Sequence, residues 1–242
     1  MGQLRGRLTQ ALLLPGFSLL SSSPWLVRRA TSPERFESQI LAFEAADAKN
    51  PPASLGIVFV GSSTIRLWPD LPAVFPGLPV LQRGFGGATI AGVRRFADRV
   101  VLRYEPRIVV VLVGANDLAG GCTPEEILDQ FGQLVGQLRG GLPEAHVCTV
   151  AINPTLARWR LQPSVDRTNA LLAEFVAQRA WMTFIDGTTF MRGPDGRPRP
   201  ELLRWDGLHL NLAGYRILAS VVRPPLERLF ATVGSGEARH PK

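Results

Sequence analysis

Cysteine is scarce in this chain of 242 residues: only Cys122 and Cys148 are present. Two thiols make no disulfide framework, and Cys148 falls inside an apolar run, so both read as free, buried or half-buried thiols. Neither has histidines at the spacing of a metal site, so no metal is expected. Histidine is almost as rare, with His146, His209 and His240. Any chemistry that needs an imidazole base is confined to those positions. His240 lies in a polar tail and His146 opens an apolar run that reads as a buried strand, which leaves His209. Lysine occurs only as Lys49 and Lys242, so arginine carries nearly all of the formal charge of +7. The arginines are scattered, for example at Arg5, Arg66, Arg94, Arg139, Arg192 and Arg223, with no dense basic run between aromatics. Nucleic-acid binding is therefore not expected, and the charge reads as a solvated surface. The apolar patch at 11–14 and 17–20 is too short to span a bilayer, so no stable membrane insertion is expected.

The length fits one domain of ordinary size. Arg5 and Arg7 precede the apolar patch and Ser21, Ser22 and Ser23 follow it, which has the outline of a short signal peptide. Pro15 and Gly16 interrupt the patch, and Arg28 and Arg29 come after it. Residues 1–31 are read as an N-terminal extension of a cytoplasmic protein, with export as the alternative if 1–23 act as a signal. Residues 32–233 form the domain and 234–242 a flexible tail.

Within the domain, strands and helices alternate. Apolar runs predict strands at about 56–61, 79–84, 108–114, 146–152 and 182–186. Ser32-Pro33-Glu34 opens a helix to about Lys49, with Phe36, Ile40, Leu41 and Phe43 on its apolar side. Helices follow at 90–103, from the capping box Thr123-Pro124-Glu125-Glu126, and at 163–180. Asn211 caps a last helix, which Pro224 and Pro225 should bend or end. This alternation implies a parallel sheet with helices on both faces. Ligands bind such sheets beyond the carboxyl ends of the strands.

Chemistry-bearing residues stand at those ends. Gly61-Ser62-Ser63-Thr64 closes the first strand, and Ser63 falls where the strand breaks into a helix, near unpaired backbone N–H groups. A serine needs a base to become a nucleophile, and His209 is the candidate. Gln82-Arg83-Gly84-Phe85-Gly86-Gly87 follows the second strand. Its glycines allow close approach of backbone to a ligand, with the Gly87 N–H available to an oxyanion. The spacing does not match a dinucleotide fingerprint. Gly114-Ala115-Asn116-Asp117 closes the third strand, where the Asn116 amide could donate to an oxyanion or close an Asx-turn. Asp206 precedes His209 by three residues, close enough to hold the imidazole in one tautomer. Trp205 adjoins Asp206 and is the best candidate for a wall of the substrate pocket; Trp68 and Trp159 read at least as well as core.

These four blocks, in this order, resemble the SGNH (GDSL-type) esterase and acylhydrolase superfamily over roughly 55–215. The resemblance implies a three-layer α/β/α sandwich with a flavodoxin-like parallel sheet of about five strands. It implies Ser63 as nucleophile, His209 as base and Asp206 as its orienting partner. Ser63, Gly87 and Asn116 would bind the oxyanion, with no cofactor. Ser62 stands where the family usually has Asp, and Gln82 where Asn is common. Related enzymes act on acetylated sugars, lysophospholipids, thioesters and short acyl esters. A small-molecule ester is thus the expected substrate, and short segments between the blocks favour a short acyl group. The oligomeric state is open. The rival from another class is a catalytically silent flavodoxin-like binding module that uses the glycine loop for an anion. It would have no need of Ser63, Asp206 and His209 together.

Overall fold

A computed structural model describes residues 33–233; the expected extension at 1–31 and tail at 234–242 lie outside the described residues. Five strands, β1 (Ile57–Gly61), β2 (Val80–Gly84), β3 (Ile108–Leu112), β4 (His146–Val150) and β5 (Met182–Ile185), form one sheet. All neighbours pair in parallel, in the order β2-β1-β3-β4-β5. Each strand falls inside its predicted run, trimmed by one or two residues at one end: β1 and β2 at the start, β3, β4 and β5 at the carboxyl end.

The neighbouring strands β1 and β3 are apolar without alternation because both of their faces are covered. Successive side chains point to opposite faces. Val58, Val60, Val109, Val111 and Val147 therefore join one core. Ile57, Phe59, Ile108, Val110 and Cys148 join the other. On the first side lie α1 (Glu37–Lys49), α2 (Ile90–Val100), α3 (Pro124–Gly141) and α4 (Gln162–Ala177). On the second lie α5 (Leu212–Val233) and two one-turn helices, Ser63–Arg66 and Leu71–Val74. This is the three-layer sandwich expected from the sequence.

Local signals set the helix starts. Thr89 Oγ1 accepts the Gly92 N–H at 3.2 Å and opens α2. Thr123 and Glu126 exchange side-chain and backbone bonds in a full capping box at α3. Asn211 Oδ1 accepts from Ala213 and Gly214 at 2.9 and 3.1 Å and opens α5. Two expectations need correction. Leu41 is 52% exposed rather than part of the apolar face of α1. Of the two outcomes expected at Pro224 and Pro225, a bend or an end, the end does not occur: the last helix runs through them to Val233. Val222 and Leu226 are fully buried on either side of the prolines, and that packing outweighs the missing backbone bonds.

At the β2 edge, Arg83 is buried against the first-side helices. Its Nη2 donates to Asp47 Oδ1, its Nε donates to the Tyr104 hydroxyl at 3.0 Å, and that hydroxyl donates to Asp47 Oδ2 at 2.5 Å. The triad closes on itself, so every charged group it buries is partnered.

Candidate active site

The strand order changes direction between β1 and β3, and parallel sheets open a crevice at that point. The residues after these two strands flank it. A cavity of about 530 Å³ lies there, lined among others by Ser62, Ser63, Gly86, Gly87, Asn116 and His209. Leu112, Leu118, Ile152, Leu161 and Val165 supply apolar wall.

Ser63 begins the one-turn helix Ser63–Arg66, with Ser62 as its N-cap. Ser62 is buried, and it is Ser63 that faces the imidazole: Ser63 Oγ lies 3.1 Å from His209 Nε2. His209 Nδ1 lies 2.7 Å from Asp206 Oδ2. The other carboxylate oxygen accepts the backbone N–H groups of Leu208 and His209, both at 2.9 Å. These bonds, the imidazole first, hold the Asp206 carboxyl down to about 2, so it is ionised at any working pH. With Nδ1–H donated to Asp206, the acceptor lone pair of Nε2 faces the serine hydroxyl. The line is therefore able to move a proton from hydroxyl to imidazole and to stabilise the cation that results.

The turn that carries Ser63 is held by three contacts. Gln82 Nε2 donates to the carbonyls of Ile65 at 2.5 Å and Trp68 at 3.0 Å, so the family departure at this position supports the turn from β2. The Tyr215 hydroxyl, on α5, donates to the Thr64 carbonyl at 3.0 Å. Gly84 lies directly beneath: a Cβ there would sit 2.4 Å from Arg66 N and 2.5 Å from Ile65 Cβ. Here the glycine makes room for protein backbone, not for a ligand as the sequence suggests.

The glycine loop is held by residues that no motif marks. The Gly86 N–H donates to Gln39 Oε1 at 2.9 Å, and Arg35 donates to the Gly87 carbonyl at 2.7 Å. Gly87 has φ +77°, which a side chain would strain. Its N–H, like that of Ser63, has no hydrogen-bond partner among the described residues. Asn116 lies in the short helix Ala115–Ala119 after β3. Its Nδ2 donates to the Ala88 carbonyl at 2.9 Å, and its Oδ1 accepts from Arg158 at 3.1 Å. Next to it, Asp117 is buried, with Oδ1 accepting the Ile90 N–H and Oδ2 without a partner. Desolvation lifts its carboxyl to about 6.

Trp205 departs from expectation. It is 98% exposed and outside the cavity lining. The Gly207 N–H bonds to the Arg204 carbonyl at 2.9 Å, so Trp205 and Asp206 are the two corner residues of one turn. Pointing Asp206 at His209 leaves Trp205 facing outward. Trp68 is buried core, and Trp159 is half-buried under Arg197. His146 is buried in β4 with Nε2 2.9 Å from Thr183 Oγ1, and burial lowers its pKa. Both cysteines are free; burial pushes Cys148 up to about 12. Among the described residues no cluster of three or more His, Cys, Asp or Glu could hold a metal ion, and no helix is long and apolar enough to cross a membrane.

Solved structures share this fold. A GDSL-like lipase from Bacteroides thetaiotaomicron is 19% identical with a TM-score of 0.63, covering 82% of this chain and 98% of its own. A lipase/acylhydrolase from Enterococcus faecalis is 20% identical with a TM-score of 0.58, covering 73% and 95%. An acetyl-xylooligosaccharide esterase variant from Geobacillus is 17% identical with a TM-score of 0.54, covering 78% and 99%. No curated protein matches the chain. At the level of sequence, residues 56–217 match the model of the GDSL-like Lipase/Acylhydrolase family. That span runs from the first strand through His209 to the start of α5, well over half of the chain, and so the chain belongs to the GDSL-like Lipase/Acylhydrolase family of ester-bond hydrolases.

Proposed function

We propose that the chain is a serine esterase that works through an acyl-enzyme on Ser63. The observation that carries this reading is the continuous line Asp206–His209–Ser63, of which His209 and Ser63 line the cavity. Neutral His209 takes the Ser63 proton at Nε2 as Oγ attacks the ester carbonyl carbon. The carbonyl electron pair moves to oxygen, and the N–H groups of Ser63 and Gly87 with the Asn116 amide bind the oxyanion. When the pair returns, the C–O bond to the alcohol breaks and His209 protonates the leaving oxygen. Water, losing its proton to His209, then attacks the acyl carbon and releases the acid. Asp206 keeps its negative charge throughout and stabilises the imidazolium.

The substrate of this reading is a short-chain acyl ester of the acetylated-sugar or lysophospholipid kind. A cavity of about 530 Å³ with one apolar wall suits a small acyl group beside a polar alcohol. A panel of p-nitrophenyl esters, acetylated sugars and lysophospholipids tests both halves of the proposal. Wild type should turn over the short esters fastest. Ser63→Ala should lose about 10³-fold or more in kcat, as removal of a triad member does elsewhere. Ser62→Ala should keep much of the activity. A dead Ser62→Ala protein beside an active Ser63→Ala protein would defeat the proposal.

A further inference from the structure

The loop after β4 sends one side chain back across the crevice to Asn116. Arg158 donates from Nη1 to the Ala115 carbonyl at 3.0 Å and from Nη2 to Asn116 Oδ1 at 3.1 Å. The guanidinium is half-buried in the cavity wall, and burial lowers its pKa without bringing an arginine near neutrality. On the other side of the amide, Asn116 Nδ2 donates to the Ala88 carbonyl at 2.9 Å.

These partners settle which way the amide points. A guanidinium only donates and a peptide carbonyl only accepts. Oδ1 must therefore face Arg158, and Nδ2 must face Ala88. A primary amide carries two N–H bonds. One is taken by Ala88, and the second is left on the cavity-lining side chain. Were the amide turned over, its oxygen would confront the developing oxyanion and repel it.

We infer that Arg158 is a positioning residue for the oxyanion site: it locks the Asn116 amide with its second N–H toward the oxyanion and polarises that N–H. The inference rests on the esterase reading above. Hydrogen bonds from an ionised donor are shorter and about twice as strong as neutral ones. Electron density drawn toward Oδ1 leaves the amide nitrogen more positive and its protons better donors. In a partly desolvated wall this polarisation is less screened than in water. Two of the five guanidinium N–H groups of Arg158 are bound to protein oxygens, and these two bonds fix its plane against the Ala115 carbonyl and the Asn116 amide. A lysine offers one compact donor and cannot span Ala115 O and Asn116 Oδ1 as a planar fork does.

The test is a double-mutant cycle on p-nitrophenyl acetate, with kcat and KM measured separately. Arg158→Met should lower kcat about tenfold or more with KM within about twofold, since the interaction grows with charge in the transition state. In an Asn116→Ala background the same substitution should cost less than about twofold, because the group it acts through is gone. Arg158→Lys should recover only part of kcat and should fold if Arg158→Met does not. Equal losses in both backgrounds, or a rise in KM alone, would show that Arg158 acts on the substrate directly and overturn the inference. A fall in Tm with kcat intact would reduce it to a structural tie. An active wild type with a fully active Arg158→Met protein defeats this inference alone. A wild type that hydrolyses no ester in the panel defeats the esterase reading as well.

Discussion

At the residue scale the account turns on where one proton sits. Asp206, held ionised down to about pH 2, cannot be the group whose titration limits activity in the ordinary pH range. Among the described residues, His209 is the imidazole in contact with Ser63. Only its neutral form can accept the serine proton, so kcat/KM should fall on acidification as the ring protonates. A pH profile of kcat/KM between about pH 5 and 9 measures this, and a flat profile removes His209 as base. Asn116 carries the second residue-scale expectation. Its amide should bind charge that the ground-state carbonyl hardly bears, so Asn116→Ala should lower kcat by about 10²–10³ while KM changes little. The same side chain also joins the loop after β2 to the loop after β4 through Ala88 and Arg158. The variant should therefore lose some Tm in addition to turnover. A destabilised but fully active Asn116→Ala protein would leave Asn116 a turn residue only.

At the scale of elements, the site is assembled from strand ends, and short side-chain links keep those ends in register. Gln82 and Tyr215 hold the turn that carries Ser63 from a strand and from a helix. Asp117 makes the corresponding link between the turn after β3 and the start of α2, through the Ile90 N–H. Its cost is electrostatic. Burial raises this carboxyl from 3.8 to about 6 in the fold, so the folded state prefers the protonated form. The stability it contributes is complete below about pH 4 and is lost as pH rises through about 6, a span worth about 3 kcal/mol at 1.36 kcal/mol per unit. Asp117→Asn carries no titrating group there. Relative to that variant, wild type should lose stability between about pH 4 and 7, measured by urea unfolding at each pH. Parallel curves for the two proteins would mean that Asp117 is solvated in a way its burial does not suggest.

At the scale of the whole molecule, the layers and the residues of the proposed triad were legible in the sequence, because both are written in local pattern. Strands buried on both faces read as unbroken apolar runs, and Ser63, Asn116, Asp206 and His209 each sit in a short block at a strand end or loop. What was not legible is contact between distant segments. Arg158 meets Asn116 across 42 residues, and Gln39 meets Gly86 across 47. Nothing in the spacing around either residue marks it. Trp205 was misplaced because adjacency to Asp206 says nothing of which corner of a turn faces water. An end to α5 at its prolines did not occur, because a missing backbone bond is visible in sequence and the burial that offsets it is not. The central claim remains that one hydroxyl, activated by one imidazole, is the nucleophile of the molecule. Reaction with a fluorophosphonate ester followed by peptide mass analysis tests it most directly. The account predicts a single adduct on Ser63, formed in step with loss of ester hydrolysis and absent when His209 is replaced by Ala. Inactivation with the adduct on Ser62 or elsewhere, or hydrolysis that persists with Ser63 fully labelled, would contradict it.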